Sequence, residues 1–360
     1  MKKIVKRIAL VISIILITLI IIVGGYAIYV FSAYYRLDDN IKLDINEGSD
    51  QSFILSKDYK VMSFNIGFGA YEPDFGFFMD GGSESRAFSK ERLTNNIKSI
   101  AKFINEQNPD YIFLQEVDEY ATRSYYYNER DFITSKLLGY DSNFAQNWDS
   151  PYLFYPIFKP HGKAKTGIMT FSRTSLLEAI RYRLPVETGV SKIVDLDRSY
   201  TKSYTKIDSN RYLVLYNAHL SAYTTDGKIA EEQAEMLISD MQQEVANGNY
   251  VICGGDFNKD LLADIPNELS QNKGEYTWAQ PFPKVYLEGT DLNLISPYDP
   301  ENPVPSCRNA DGPYNEQQYV LTVDGFIVSN NINIKSYRVI NTNFQYSDHN
   351  PVELIFSINE

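Results

Sequence analysis

The sequence predicts an α+β protein in which two β-sheets pack face to face with helices outside them, preceded by one N-terminal transmembrane helix. Short apolar runs of strand length recur along most of the chain, and the few amphipathic helical patterns stand between pairs of such runs. This order favours two packed sheets over a doubly wound parallel sheet, in which strands and helices alternate one by one. With 360 residues, of which 44% are hydrophobic and 14% aromatic, the chain is able to bury a large core.

The first 36 residues contain the segment that is predicted to cross the membrane. No charged residue lies between Arg7 and Arg36, and residues 8–23 are almost wholly aliphatic, which is about the length that a membrane-spanning helix needs. The basic residues before the span place the N-terminus in the cytoplasm and the rest of the chain outside it, as a single-pass protein of the cell membrane that contacts the bilayer through residues 8–35. A cleaved signal peptide is the alternative, but its apolar region is usually shorter.

The remaining chain is predicted to form a linker over residues 37–57 and one domain over residues 58–360, after the basic tip and anchor of residues 1–36. The formal net charge is −12, although residues 1–36 contain no acid, so the domain is strongly acidic. Such a domain repels polyanions at long range, which disfavours binding of nucleic acid through a broad basic face. The two cysteines, Cys253 and Cys307, are predicted to be free.

Secondary structure is predicted along the domain from periodicity and turn residues. A strand over residues 60–66 precedes a glycine-rich loop, and Ser89 caps a helix that ends at Asn108. A buried strand over residues 111–114 is followed by a predicted helix over residues 118–138. The later elements are predicted as a helix at 226–245 and as strands at 167–172, 211–217, 251–255, 320–329 and 352–358.

Polar residues follow the apolar strands at the points where the strands end. The clearest case is Val251-Ile252-Cys253-Gly254-Gly255-Asp256-Phe257-Asn258, in which two glycines end an apolar run before a carboxylate and a carboxamide. In layered α/β folds, ligands and catalytic groups commonly lie at such ends. The same position is taken elsewhere by Asn65, Glu116, His219, Asp324, Asp348 and His349. Each of these residues, taken alone, could have a purely structural role, such as that of a hydrogen-bonded core histidine or a salt-bridge partner. The recurrence of polar residues at strand ends favours one shared site.

The residue types in this set suit hydrolysis of a phosphate ester. Oxygen ligands from Glu116 and Asn65, in a chain with three histidines and two cysteines, favour Mg²⁺, or Mn²⁺, over zinc. Such an ion polarises a phosphoryl oxygen. Asp256 is able to orient and deprotonate water while Asn258 holds that water or a phosphate oxygen. Histidines are able to donate hydrogen bonds to phosphate oxygens or to protonate a leaving group, and a carboxylate behind one of them sets its tautomer.

Six motifs, in this order, resemble those of the endonuclease/exonuclease/phosphatase superfamily, whose members include pancreatic-type DNases, apurinic endonucleases, neutral sphingomyelinases and inositol polyphosphate phosphatases. The motifs are Ser63-Phe64-Asn65, Leu114-Gln115-Glu116-Val117, Asn217-Ala218-His219-Leu220, Gly255-Asp256-Phe257-Asn258, Val323-Asp324-Gly325-Phe326 and Ser347-Asp348-His349-Asn350-Pro351. The resemblance covers about residues 59–358. It implies a four-layered α/β/β/α sandwich of two mixed sheets with the site at one end.

The resemblance also implies a role for each matched residue on the metal side. Glu116 is expected to bind the metal directly, with Asn65 and Asp348 as further residues of the metal site.

Apurinic endonucleases usually carry an acid two residues after the first asparagine, whereas this chain has Gly67 there. Their DNA-gripping elements also have no clear counterpart, which weakens the case for a DNA substrate.

On the catalytic side, His219 is expected to contact the phosphate, and Asp256 and Asn258 to handle the water and the phosphate. Asp324 is expected to orient a histidine, and His349 to be the second catalytic histidine. These roles come from position within the matched motifs.

Three functions remain open from the sequence. The leading one is a membrane-anchored, extracytoplasmic, Mg²⁺-dependent phosphohydrolase that cleaves a phosphodiester of modest size, with a lipid headgroup as one candidate. The alternatives are a cell-surface nuclease acting on DNA or RNA, which the acidic domain does not favour, and a catalytically silent binding module. Lys165 and Arg308 are tentative phosphate contacts, His161 is assigned to the surface, and no protein partner is inferred.

Overall fold

The computed structural model describes residues 2–189, 192, 196–222, 227–265, 269 and 278–359. The α-helices in these ranges are α1 (Lys2–Ala33), α2 (Lys90–Gln107), α3 (Glu129–Lys136) and α4 (Lys228–Ala246). The strands are β1 (Ile41–Lys42), β2 (Tyr59–Asn65), β3 (Tyr111–Ala121), β4 (Asp141–Asp149), β5 (Ala164–Ser172), β6 (Leu176–Arg183), β7 (Ser199–Lys206), β8 (Tyr212–His219), β9 (Tyr250–Asp256), β10 (Leu292–Ile295), β11 (Cys307–Arg308), β12 (Val320–Leu321), β13 (Asp324–Ser329), β14 (Asn333–Val339) and β15 (Val352–Ser357).

Two mixed sheets form the centre of the domain, which confirms the predicted fold class. One has seven strands in the order β1-β6-β7-β8-β9-β13-β10, and the other has six in the order β14-β15-β2-β3-β5-β4. Each sheet contains one parallel pair, β8 with β9 and β2 with β3, while the other neighbours are antiparallel. Strands β11 and β12 form a separate short antiparallel pair.

Helices cover the outer faces of both sheets, so the domain has four layers. Apolar side chains of α2 and α3, such as Ile97 and Ile133, pack on the six-stranded sheet, and those of α4, such as Leu237, pack on the seven-stranded sheet. Between the sheets, Phe113 lies against Gly254, where a Cβ atom would come within 2.6 Å of the phenylalanine ring. This glycine therefore lets the sheets approach closely beneath the site.

The structure differs from the predicted elements between residues 118 and 138. Strand β3 continues to Ala121 because its last residues pair with β5, Asp118 with Thr166 and Ala121 with Ala164. The predicted helix was wrong over this part, and α3 is limited to Glu129–Lys136. The predicted strand over residues 320–329 is divided into β12 and β13, and β14 was not predicted. Residue 226, the predicted start of the later helix, lies outside the described residues.

The segment predicted as a linker lies along the domain. Strand β1 pairs with β6, and the backbone amides of Gly48 and Ser49 both donate to Asp141 Oδ1 at 2.8 Å. Arg36, the residue before this segment, forms an ion pair with Asp197. The Oδ2 atom of Asp197 also accepts a hydrogen bond from Leu37 N at 3.1 Å. The chain is thus attached to the domain within a few residues of α1, which is a candidate membrane span by its length and apolar composition.

Candidate active site

Strand register places several of the predicted residues side by side. In the seven-stranded sheet, Asp256 of β9 lies opposite His219 of the parallel strand β8 and opposite Asp324 of the antiparallel strand β13. In the six-stranded sheet, Asn65 of β2 lies opposite Gln115, next to Glu116. Because each parallel pair ends at the same edge, both sheets present polar side chains at one end of the sandwich.

Asp256 is the centre of a buried hydrogen-bond network at this end. Its Oδ2 accepts from Asn65 Nδ2 at 3.0 Å and from Asn258 Nδ2 at 3.3 Å, and its Oδ1 accepts from Asn258 N at 2.9 Å. The Nε2 atoms of His219 and His349 lie 3.5 and 3.8 Å from the same Oδ2. The structure therefore brings together residues that stand up to 284 positions apart in the sequence.

Burial raises the pKa of Asp256 to about 6, with His349 lowering it and Asp324 raising it. This pKa is close to neutral pH. A general base with a pKa near the working pH combines the correct charge state with a useful affinity for a proton. The environment of Asp256 thus suits acceptance of a proton from water.

The pKa values of the two site histidines are shifted in opposite directions. Burial tends to lower the pKa of His349, but the Asp324 carboxylate, which lies 2.8 Å from His349 Nδ1, outweighs burial and raises this pKa well above its usual value. Ser306 Oγ donates to the same Asp324 oxygen at 2.7 Å and holds it in place. Burial, followed by the charge of Arg198, lowers the pKa of His219 well below its usual value. The surroundings therefore favour the charged form of His349 and the neutral form of His219.

Glu116 faces the site from a β-bulge in β3. Its backbone has φ 55°, and the pairing of β3 with β5 shifts register between Leu114 and Val117. Its Oε1 lies 3.4 Å from Asn65 Nδ2, and its Oε2 lies 3.9 Å from Arg123 Nη1. Bulges of this kind redirect a side chain at the end of a strand.

Arg123 is a site residue that the sequence analysis missed. Its guanidinium donates to both oxygens of the buried Asp118 carboxylate at 2.9 and 3.1 Å and lies 3.9 Å from the centre of the Phe68 ring. It was missed because the helix predicted over residues 118–138 does not contain the turn after β3 in which Arg123 lies. The segment carries no other signal, since one arginine among tyrosines is common on protein surfaces.

Glu116 and Asp348 fit a divalent cation. Both line the site cavity, and burial, together with the nearby Glu116 charge, raises the pKa of Asp348 even though His349 and Arg308 lower it. A buried carboxylate beside a second acid is stabilised in its charged form when a cation binds between the two, and Mg²⁺ prefers oxygen ligands.

Asn65 directs its amide nitrogen toward two carboxylates of the site. Its Oδ1 accepts from Gly67 N at 3.0 Å, which directs its amide NH₂ group toward Glu116 and Asp256. In this arrangement Asn65 positions the two carboxylates, and the metal-site role expected for Asn65 stays a prediction. Gly67 itself has φ 52°, and a Cβ atom there would come within 2.8 Å of Tyr71, so the acid found in apurinic endonucleases does not fit.

A second group could also hold a metal ion. Asp256, Asp324 and His349 each offer a ligand atom, and these atoms lie within 4.8 Å of one another. However, Asp324 Oδ2 and His349 Nδ1 already hydrogen-bond to each other. This pairing favours the orienting role expected for Asp324 over metal binding.

A cavity of about 730 Å³ opens above these residues. Its floor is polar and consists of Glu116, His219, Asp256, Asn258, Asp348 and His349. Its walls are largely apolar and include Tyr26, Phe77, Phe78, Met79, Trp148, Leu153, Phe154, Tyr155, Leu196 and Trp278. His161, which was assigned to the surface, is buried in this wall, and burial lowers its pKa to about 3.

The two tentative phosphate contacts lie in different surroundings. Arg308 reaches the cavity, but its guanidinium donates to five backbone carbonyl oxygens, including those of Glu72 and Phe75 at 3.2 Å, and so fastens the loop after β2. Lys165 pairs with Glu119 at 2.6 Å and is not among the described residues that line the cavity. The structure therefore does not bring Lys165 to the site.

Comparisons with known proteins identify the family and related folds. The model of the endonuclease/exonuclease/phosphatase family matches residues 62–349, whereas no curated protein sequence matches the chain. Similar solved structures include an endonuclease/exonuclease/phosphatase from Beutenbergia cavernae, with 16% identity, a TM-score of 0.59 and coverage of 84% of this chain and 72% of that chain. The catalytic domain of human nocturnin with bound sulfate anion has 19% identity, a TM-score of 0.54 and coverage of 88% and 96%. ANGEL2, a 2',3'-cyclic phosphatase in complex with adenosine-2',3'-vanadate, has 17% identity, a TM-score of 0.55 and coverage of 89% and 99%. At these identities the structures show a shared fold, while the family match shows that the chain belongs to the endonuclease/exonuclease/phosphatase family, whose members are metal-dependent phosphoric ester hydrolases.

Proposed function

We propose that this protein is a membrane-anchored, extracytoplasmic phosphohydrolase that uses Mg²⁺, or Mn²⁺, to cleave a phosphodiester of modest size. The observation that carries the proposal is the convergence on Asp256 of His219, His349 and Asn258 at the floor of one cavity, with Glu116 beside them. The basic residues in the first turns of α1 and the apolar span that follows them support an N-terminus in the cytoplasm and a domain outside the cell membrane.

The charges of the cavity support dependence on a metal. Glu116, Asp256 and Asp348 all face it, while the guanidinium of Arg123 is bound to Asp118. These three carboxylates oppose an approaching phosphate anion, although Arg198, Arg308 and His349 also line the cavity. A divalent cation held by Glu116 and Asp348 would reverse the local charge and polarise a phosphoryl oxygen.

The residues of the chain supply the remaining chemistry. Asp256 accepts a proton from the attacking water, and Asn65 and Asn258 hold its carboxylate in position. The cationic His349, oriented by Asp324, donates a hydrogen bond to a phosphate oxygen or a proton to the leaving group.

The experiment is a metal-dependence assay on the full chain in phosphatidylcholine nanodiscs. It is expected to hydrolyse bis(p-nitrophenyl) phosphate with Mg²⁺ and not with EDTA. Asp256→Asn and His219→Ala are each expected to lower kcat by about 10²- to 10⁴-fold, because each removes a group that acts on the reacting atoms. Asp44→Asn, a change of an exposed acid, serves as the matched control.

Two results would contradict the proposal. Absence of metal-dependent turnover on any phosphate ester would favour a binding module on the same scaffold. Faster turnover of plasmid DNA or RNA than of sphingomyelin and inositol phosphates, tested side by side, would instead favour a cell-surface nuclease.

A further inference from the structure

The segment that joins β4 and β5 exposes an unusual amount of apolar surface. Residues 151–158, here called the aromatic loop, include Phe154, Tyr155, Ile157 and Phe158, all of them exposed. Ile157 is 77% exposed and Phe158 is 102% exposed. Contiguous exposed apolar side chains of this size usually mark a surface that binds a partner or a membrane.

The aromatic loop is attached to the candidate membrane span. Tyr26 Oη donates to Tyr152 O at 3.1 Å and lies 3.1 Å from Phe154 N, while Tyr152 N donates to Tyr29 Oη at 3.0 Å. The Tyr26 and Phe154 rings also meet edge to face, with centroids 5.4 Å apart. The loop is therefore held against the last turns of α1.

The position of these contacts along α1 gives the depth of the loop. At about 1.5 Å per residue, Tyr26 lies about 27 Å and Tyr29 about 32 Å along the helix from Ile8, the first residue of the charge-free stretch. The hydrocarbon core of a bilayer is about 30 Å thick. A helix that crosses the bilayer from Ile8 therefore places the aromatic loop at its outer boundary, where tyrosine rings are favoured.

The same loop and helix form one wall of the active-site cavity. Tyr26, Phe154 and Tyr155 line it, and the ring of Tyr155 lies 5.6 Å from that of Phe78 on the facing loop. The mouth of the cavity is thus apolar and next to the bilayer, while its floor holds Asp256 and the other polar groups. This gradient matches a molecule with apolar chains and a phosphate head.

We propose that the aromatic loop inserts into the outer surface of the bilayer beside α1 and that the site takes a membrane phospholipid directly from that surface. This inference rests on the proposed phosphohydrolase function, whose substrate class it names. The phosphate ester of the lipid reaches the polar floor while its acyl chains remain against the apolar walls. Water-soluble polyanions are disfavoured because their path leads between the domain and the membrane, across aromatic side chains.

Insertion is tested by placing an environment-sensitive fluorophore on the loop. Phe158→Cys labelled with NBD, in full-length protein in phosphatidylcholine nanodiscs, is expected to emit at shorter wavelength and to be quenched by a nitroxide on the lipid chains. The native cysteines are buried, which directs labelling to the new thiol. Leu138→Cys is the control because Leu138 is 81% exposed and follows α3, whose Lys136 carbonyl contacts the end of α2 far from the site. Equal, weak quenching at both positions would overturn the insertion.

Substrate capture is tested with two substrates on one pair of variants. Phe158→Asp is expected to lower hydrolysis of phospholipid at least about tenfold, since a charge opposes insertion, and to leave hydrolysis of bis(p-nitrophenyl) phosphate unchanged. The lipid probes are phosphatidylcholine vesicles containing sphingomyelin, phosphatidylglycerol or phosphatidic acid in turn. Leu138→Asp is expected to change neither activity.

The outcomes separate this inference from the proposed function. If the soluble diester is hydrolysed but none of the lipids is, or if Phe158→Asp changes both activities equally, the phospholipid inference fails and the phosphohydrolase stands. If neither substrate is hydrolysed by the unchanged protein, the proposed function fails, and the fluorophore on residue 158 still reports whether the loop inserts.

Discussion

Replacing Arg123 with methionine tests whether this buried arginine holds the end of β3 together. Arg123 and Asp118 are both buried, and the guanidinium contacts both carboxylate oxygens at 2.9 and 3.1 Å. Methionine fills similar space but leaves the Asp118 charge without its partner. Breaking a buried pair in this way costs about 3–5 kcal/mol of unfolding free energy, because the remaining carboxylate has no compensating charge. In a domain of this size, about 2 °C per kcal/mol gives a fall in Tm of about 6–10 °C.

The assay is thermal unfolding of the full chain in one detergent, with EDTA present. Arg92→Met is the matched control, because Arg92 pairs with Glu72 and Asp74 where all three side chains are partly exposed, and loss of these two pairs is expected to cost at most about 2 kcal/mol. Adding Asp118→Asn to Arg123→Met removes the unpaired charge and is expected to restore part of the lost stability. A fall in Tm below about 2 °C for Arg123→Met, or a double variant no more stable than the single one, would refute the reasoning.

Three further predictions concern the site itself. Glu116→Gln is expected to raise the Mg²⁺ concentration for half-maximal turnover by about tenfold or more, whereas Glu301→Gln, at an exposed position, leaves it unchanged. Because the folded-state pKa of His349 lies above the usual 6.5, its contribution to stability is complete below pH 6.5 and is lost as the pH rises through the folded-state pKa. Asp324→Asn removes the main cause that raises this pKa, so its destabilisation in urea with EDTA should be largest below pH 6.5 and should decrease as the pH rises through the folded-state pKa of His349; a loss independent of pH would contradict this. Gly67→Asp is expected to destabilise the protein by about 1–3 kcal/mol in the same urea assay, since φ is 52° and Tyr71 occupies the space of a side chain; unchanged stability would show that the loop adapts.

The parts of the fold that depend on local chemistry could be predicted from the sequence. Helix α2 begins after Ser89, whose Oγ accepts from Arg92 N at 3.1 Å, and ends at Asn108 in a left-handed conformation. Both signals lie within one helical turn of the residues they affect. The strand ends at Asn65 and Asp256 were recognisable for a similar reason, since an apolar run stops there and a polar residue follows.

The parts that depend on distant pairing could not be predicted. Residues 118–121 extend β3 because β5, more than 40 positions later, provides their hydrogen-bond partners. Glu116 points into the cavity from a bulge with φ 55°, and no neighbouring glycine or proline marks this turn. Arg123 lies in the turn directly after β3, where the Tyr126 amide donates to the Ala121 carbonyl, so its ion pair with Asp118 depends on where β3 ends.

The contact between the two sheets at the site can be traced to one short-range feature that occurs twice. Asn65 Oδ1 accepts from Gly67 N at 3.0 Å, and Asp256 Oδ1 accepts from Asn258 N at 2.9 Å, so both strand ends form the same side-chain turn. In each case the turn occupies one side-chain oxygen and leaves the other terminal atom to face the opposite sheet. Those two atoms, Asn65 Nδ2 and Asp256 Oδ2, are 3.0 Å apart. The Asp256 carboxylate, proposed as the base, is therefore held at Oδ1 by the backbone amide of Asn258 and at Oδ2 by Asn65 of the other sheet. These two contacts keep Oδ2 directed at the histidines.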